Sequence, residues 1–255
     1  MRPDEPHAVM NYADRHPEGK ALLVLGGPSA KNWEAVRDEI GADVIIGANG
    51  VNNKIKDLDF WICAENMTYP NQKALEGEQR YIDIMKMFQR TGPKVRLVSW
   101  KTYDLLNDKN HAIKMKRQGY NYDMLGDFTF REYGDGLMNG AMLDLPETGV
   151  PLRVGTVALQ MMHFAGILGV SEIHTIGYDL CLKKDHHWYK YPKYEKTRFY
   201  SEGMFIKYKG FKTLWLWVKT LDYLHELTHV FKRDEITWKD HSDGLLQKEK
   251  GLFDD

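Results

Sequence analysis

The chain has 255 residues, a formal net charge of -1, 43% hydrophobic and 28% charged residues, which is the profile of a globular protein long enough to bury a core. Near-neutral charge gives no electrostatic case for nucleic acid or a membrane surface, no apolar run reaches the length of a spanning helix, and residues 1–20 are polar with no signal-peptide core. Cys63 and Cys181 form neither a disulfide framework nor a CxxC pair, so the expectation is one cytoplasmic domain over 1–255.

In chain order, residues 1–20 read as a loose lead-in. Residues 21–25 are a continuous apolar run, as in a parallel strand covered on both faces. The run meets Gly26, Gly27, Pro28 and Ser29. Ser29 is the expected N-cap of a helix over 30–40, with Trp33, Val36 and Ile40 at helical spacing and Gly41 closing it. Free N–H groups at such a helix start suit a phosphate, although a plain strand–turn–helix joint uses the same residues. Strands are expected at 43–47, followed by Ala48, Asn49 and Gly50, and at 59–63, followed by Ala64, Glu65 and Asn66. A helix over 72–90 and a fourth strand over 94–99 follow. Glycines at 119, 126, 134, 136, 140 and 149 interrupt every period in 101–151, which reads as an insertion or lid.

Regular patterning returns after Arg153. Gly155 and Thr156 open a helix whose Val157, Met161, Phe164 and Leu168 form one stripe, ended by Gly169. Residues 172–176 read as a strand leading to Gly177, Tyr178 and Asp179. A polar, aromatic loop spans 183–209 and carries His186 and His187. A helix is expected over 213–227 and a tail over 228–255, with one short strand near Val230 or Ile236.

Strands alternating with helices predict an α/β fold, a doubly wound, mostly parallel Rossmann-like sheet. Ligands of such sheets sit beyond the carboxyl ends of the strands, which gathers the loops at 26–29, 47–50, 64–66 and 177–187 on one rim. Asn49 offers a donor and an acceptor to a base or sugar edge, or is an ordinary Asn-Gly turn. Glu65 and Asn66 suit a ribose or a metal, or a helix cap. Arg153, Gly155 and Thr156 suit a second anion site, or a capped core helix. Asp179 with His186 and His187 suits acid–base work, or solvated loop chemistry. Lysines and aromatics at 188–200 suit a lid over an anionic substrate better than nucleic acid. His111, His163, His174 and His225 have no evident partner in the sequence and receive no role.

Taken together, Gly-Gly-Pro-Ser, Ala-Asn-Gly, Gly-Thr-Val-Ala-Leu and Leu-Gly-Val-Ser-Glu-Ile-His-Thr-Ile-Gly-Tyr-Asp-Leu, in that order, resemble a broad Rossmann-like family of bacterial, archaeal and phage proteins. That family includes the archaeal 6-hydroxymethylpterin diphosphokinases, and the layout is similar to that of Campylobacter-type bacterial sialyltransferases. The resemblance covers roughly 21–187, with the 101–151 stretch unmatched. The sialyltransferase likeness implies a cytidine-monophosphate sugar held by residues 26–29, Asn49, Gly155 and Thr156, without a metal. The diphosphokinase likeness implies ATP with Mg²⁺ on Glu65 and Asp179. The chain departs from both. The sialyltransferases place a histidine just before the last long helix, where residues 199–208 have none, so His186 or His187 would substitute. The kinases carry aspartates where Asn49 and Glu65 stand.

The expectation is a nucleotide-dependent group transferase, foremost a glycosyltransferase with a CMP- or UDP-type sugar donor and a small-molecule or glycan acceptor. The diphosphokinase and a non-catalytic nucleotide-binding module are the alternatives. In the leading reading Gly26, Gly27, Pro28, Ser29, Gly50, Arg153, Gly155 and Thr156 hold the donor with Asn49 and Asn66. His187, His186 and Asp179 carry the chemistry. No resident cofactor is implied, and self-association is left open.

Overall fold

The computed structural model describes residues 12–63, 95–99, 130–133, 157–181 and 205–248. The expected helix over 72–90 lies outside them, as does most of the 101–151 stretch. The strands are β1 (Lys20–Val24), β2 (Val44–Ala48), β3 (Phe60–Cys63), β4 (Val95–Ser99), β5 (Phe130–Tyr133), β6 (Glu172–Ile176), β7 (Phe205–Tyr208), β8 (Phe211–Leu214) and β9 (Thr237–Asp240). The α-helices are α1 (Trp33–Ile40), α2 (Val157–Ile167) and α3 (Trp215–Arg233). Seven strands form one sheet in the order β5-β4-β3-β2-β1-β6-β9, and every pairing in it is parallel. The fold is α/β.

β1 lies inside the sheet, between β2 and β6, and its side chains tolerate no water on either face. Ala21, Leu22, Leu23 and Val24 are all fully buried. The pleat sends Ala21 and Leu23, with Val44, Ile46, Phe60, Ile62 and Ile173 of neighbouring strands, into one cluster with α2 and α3. Leu22, Val24 and Trp61, also buried, cover the opposite face. There Gly47 leaves room for Leu58, whose methyl would lie 2.6 Å from an added Cβ and would have to shift. Phe60, Phe164 and Tyr12 meet edge to face, with centroids 4.9–6.1 Å apart.

Several elements differ from the sequence expectation. The lead-in is docked from Tyr12 onward: the N–H groups of Asp14, His16 and Glu18 bond the carbonyls of Ile167, Leu168 and Gly169. These are carbonyls that the end of α2 would otherwise leave unpaired. α2 is buried all round rather than along one stripe, with nine of its 11 residues inside. β5 falls within the 101–151 stretch and adds an edge strand, so part of that stretch belongs to the sheet. β7 and β8 make an antiparallel hairpin at the end of the expected 183–209 loop. Lys209 and Gly210, with φ of 47° and 87°, form its two-residue turn of the type that matches strand twist. α3 runs on to Arg233, so Val230 is helical and the tail's strand is β9. Gly41 closes α1 as expected, at φ 62° and ψ 55°. Among the described residues no helix is long and apolar enough to cross a membrane.

Candidate functional site

Parallel pairing puts the carboxyl ends of β1, β2, β3, β6 and β9 on one rim. The strand order reverses direction at β1, whose neighbours are β2 and β6, and in open parallel sheets such a reversal is where ligands enter. Here the reversal is stitched shut. The Gly27 N–H donates to the Gly177 carbonyl at 2.9 Å, and the Gly177 N–H donates to Ser29 Oγ at 3.1 Å. The Ser29 N–H donates to Asp179 Oδ2 at 3.2 Å, and the Ala30 N–H closes onto the Gly27 carbonyl at 3.0 Å.

Ser29 is therefore not the N-cap of the first helix. The chain passes through a 3-10 turn, Pro28–Asn32, before α1 begins at Trp33, and Ser29 Oγ is held by a residue 148 positions away. The N–H groups of Gly27, Ser29 and Ala30 are bonded within the protein. The Asp179 carboxylate stands at the loop where an incoming phosphate would bring like charge.

Asp179 lies deep in this joint, 2% exposed. Its Oδ1 accepts the Asp243 N–H at 3.0 Å and its carbonyl accepts the Leu245 N–H at 2.9 Å. Glycines make the fit possible: a Cβ on Gly27 would land on Asp179 Oδ2, and one on Gly244 on the Asp179 carbonyl. Gly177 has φ 81°, and a Cβ there would come within 2.6 Å of the Leu25 carbonyl. Residues 177–181 are buried beneath the 242–245 turn and β8, where Thr213 Oγ1 donates to the Leu180 carbonyl at 2.6 Å. The loop after β6 is thus covered over these residues instead of opening on the rim.

The end of β2 is built differently. Asn49 takes a left-handed backbone, φ 46°, in the 3-10 turn Asn49–Asn53. Its carbonyl accepts the Trp61 indole N–H at 2.7 Å, which fixes the turn against β3. Its side-chain Oδ1 is buried and has no hydrogen-bond partner among the described residues. Gly50 is buried beside it. A buried carboxamide oxygen with no donor is costly, by about 1–3 kcal/mol, unless something supplies one.

Two further polar groups were not singled out from the sequence. Asp240, at the end of β9, has Oδ1 held by the Thr175 and Ser242 hydroxyls at 2.7 and 2.8 Å, while Oδ2 is buried with no partner among the described residues. Burial pushes its pKa up to about 6, and nearby Asp179 adds to the rise. His163, within α2, has neither ring nitrogen paired among the described residues, and burial pushes its pKa down to about 3. On β6, His174 bridges His241 at 2.9 Å and Glu172 at 3.1 Å. Burial lowers its pKa against the opposing pull of Glu172.

Of the residues expected at the site, Gly26, Gly27, Pro28, Ser29, Asn49, Gly50 and Asp179 lie on the rim or just beneath it. Glu65, Asn66, Arg153, Gly155, Thr156, His186 and His187 lie outside the described residues. Compared with models of known protein families, with curated proteins and with solved structures, the chain matches none.

Proposed function

We propose that the protein is a nucleotide-dependent group transferase on a Rossmann-like, doubly wound sheet, and that its donor is a sugar nucleotide of the CMP or UDP type. The observation that carries the reading is the buried, unpaired Oδ1 of Asn49 at the carboxyl end of β2. It is the acceptor that a base amino group or a sugar hydroxyl satisfies. Gly26, Gly27, Pro28 and Ser29 act as a rigid floor rather than a phosphate cradle, since the amides of Gly27 and Ser29 are committed to Gly177 and Asp179.

Phosphate recognition then falls to Arg153, Gly155 and Thr156. They immediately precede α2, which leads straight into the amino end of β6 and so begins at the carboxyl rim. Asn66 and Gly50 complete the donor contacts, and His187 or His186 takes the acceptor proton or donates one to the leaving group. Asp179 holds the two rim loops together. Both of its carboxylate oxygens already accept backbone N–H groups, which favours the sugar-nucleotide reading over one that needs Asp179 to hold Mg²⁺ for ATP.

Thermal denaturation with CMP, UDP, GDP and ATP, each with and without Mg²⁺, tests the proposal. A ligand at one hundred times its Kd adds about 2.7 kcal/mol to stability, a shift that is easily read. CMP or UDP should stabilise without metal. Stabilisation by ATP with Mg²⁺ alone points instead to a diphosphokinase, and no shift with any nucleotide rejects the proposal.

A further inference from the structure

Residues 225–229 read His-Glu-Leu-Thr-His, and all five lie within α3. Histidines four apart share one helix face, and the spacing is that of a helical pair able to ligate one cation. The geometry bears this out. The Nε2 atoms of His225 and His229 converge to 3.1 Å, with ring centroids 4.5 Å apart and planes crossing at 78°. Leu224, Leu227 and Thr228 are buried, so the pair stands on a helix anchored to the core, with His229 exposed and His225 half-buried.

Zinc-class ions hold imidazole nitrogen at about 2.0–2.1 Å. Two such bonds spanning 3.1 Å subtend about 95–102° at the metal, between octahedral and tetrahedral values. Without a cation, the two facing nitrogens attract only if one of them carries a proton, whereas a cation takes a lone pair from each.

We propose that His225 and His229 form a surface site for one zinc-class divalent cation. Both ring Nε2 atoms ligate it and water fills the remaining positions. Among the described residues no group of three or more histidine, cysteine or acidic side chains is gathered for a metal, so the proposed site has two protein ligands. The site is separate from Asn49 and stands whether or not a nucleotide binds there.

The test is titration of untagged, chelator-stripped protein with Co²⁺, read by absorption, and with Zn²⁺, read by calorimetry. One cation per chain is expected, and His229→Ala and His225→Ala should each weaken binding at least about tenfold. His229 is exposed, so its variant keeps the fold. The His174–His241 pair, 2.9 Å apart, is the internal control, and His241→Asn should leave Co²⁺ binding in place. Binding that survives both α3 substitutions, binding lost only with His241→Asn, or no binding at about 1 mM cation overturns the site.

Discussion

The exits of β1 and β6 and the exit of β2 are neighbours on one rim, yet they handle their polar groups in opposite ways. At the β1–β6 joint the N–H groups of Gly27, Ser29 and Gly177 and both oxygens of Asp179 have partners inside the protein. Three glycines let the backbones approach closely enough to make those bonds. At the β2 exit, Asn49 is held in a left-handed conformation through its carbonyl, while its side-chain oxygen is buried without a donor. The first arrangement is that of a structural joint. The second leaves a buried acceptor that a bound donor group would satisfy. A glycine-rich turn after a central strand is therefore not by itself a phosphate site. What decides is whether its N–H groups are still available.

The contrast can be broken first at the joint. Gly27→Ala places a methyl on the Asp179 carboxylate and close to the Gly177 carbonyl, so it should cost about 4 kcal/mol in chemical denaturation. A cost below about 1 kcal/mol would mean that the loops are not stitched as described. Asp179→Ala leaves the Ser29 and Asp243 N–H groups without acceptors and should cost about 3 kcal/mol. If Asp179 instead served chemistry alone, the variant would lose turnover at unchanged stability.

Asp240 sharpens the comparison, because it extends the joint to β9 while keeping one unpaired oxygen. Its pKa rises from 3.8 to about 6 on folding, so the native state binds the proton more tightly than the unfolded chain. Stability from this group is present in acid and is lost as pH rises through about 6, roughly 3 kcal/mol in full. Asp240→Asn removes that loss and should be more stable than the parent by about 1–3 kcal/mol at pH 7, with the difference vanishing near pH 4. His163, buried neutral, works in the opposite sense, since its contribution is lost as pH falls from 6.5 toward 3. It is common to both proteins and cancels in the difference. An equal gap at both pH values would contradict the burial of Asp240. The smallest stability effect is expected at Asn49: Asn49→Gly keeps the left-handed backbone, and relief of the orphaned oxygen is offset by lost side-chain packing and by roughly 0.5–1 kcal/mol of glycine chain entropy, so the net change should stay below about 2 kcal/mol.

The parallel sheet was legible because its central strands are uninterrupted apolar runs, and Gly41 and Gly169 were legible as helix ends because a left-handed closing residue favours glycine. Asn49 was legible as a rim amide from its position after a strand. What escaped the sequence is nonlocal. Ser29 looks like a helix cap until Gly177, far along the chain, claims its hydroxyl. Asp179 gave no sign in the sequence that the N–H groups of Ser29 and Asp243, far along the chain, bond its two carboxylate oxygens. The Val157, Met161, Phe164 and Leu168 stripe marks only the most apolar side of α2, and Gln160 and His163 are buried because neighbouring elements close over the rest. His225 was given no partner from the sequence, although His229 stands four residues on in the same helix. Their significance emerged only when the ring nitrogens were seen to converge.

The central claim is that the β2 exit, and not the glycine joint, recognises the nucleotide. Calorimetric titration of CMP and UDP, without metal, into the parent and into Asn49→Gly tests it most directly. The parent should bind one of the two, and Asn49→Gly, equally folded, should bind it at least about tenfold more weakly. Equal affinity in the two proteins, or no binding by the parent, would contradict it.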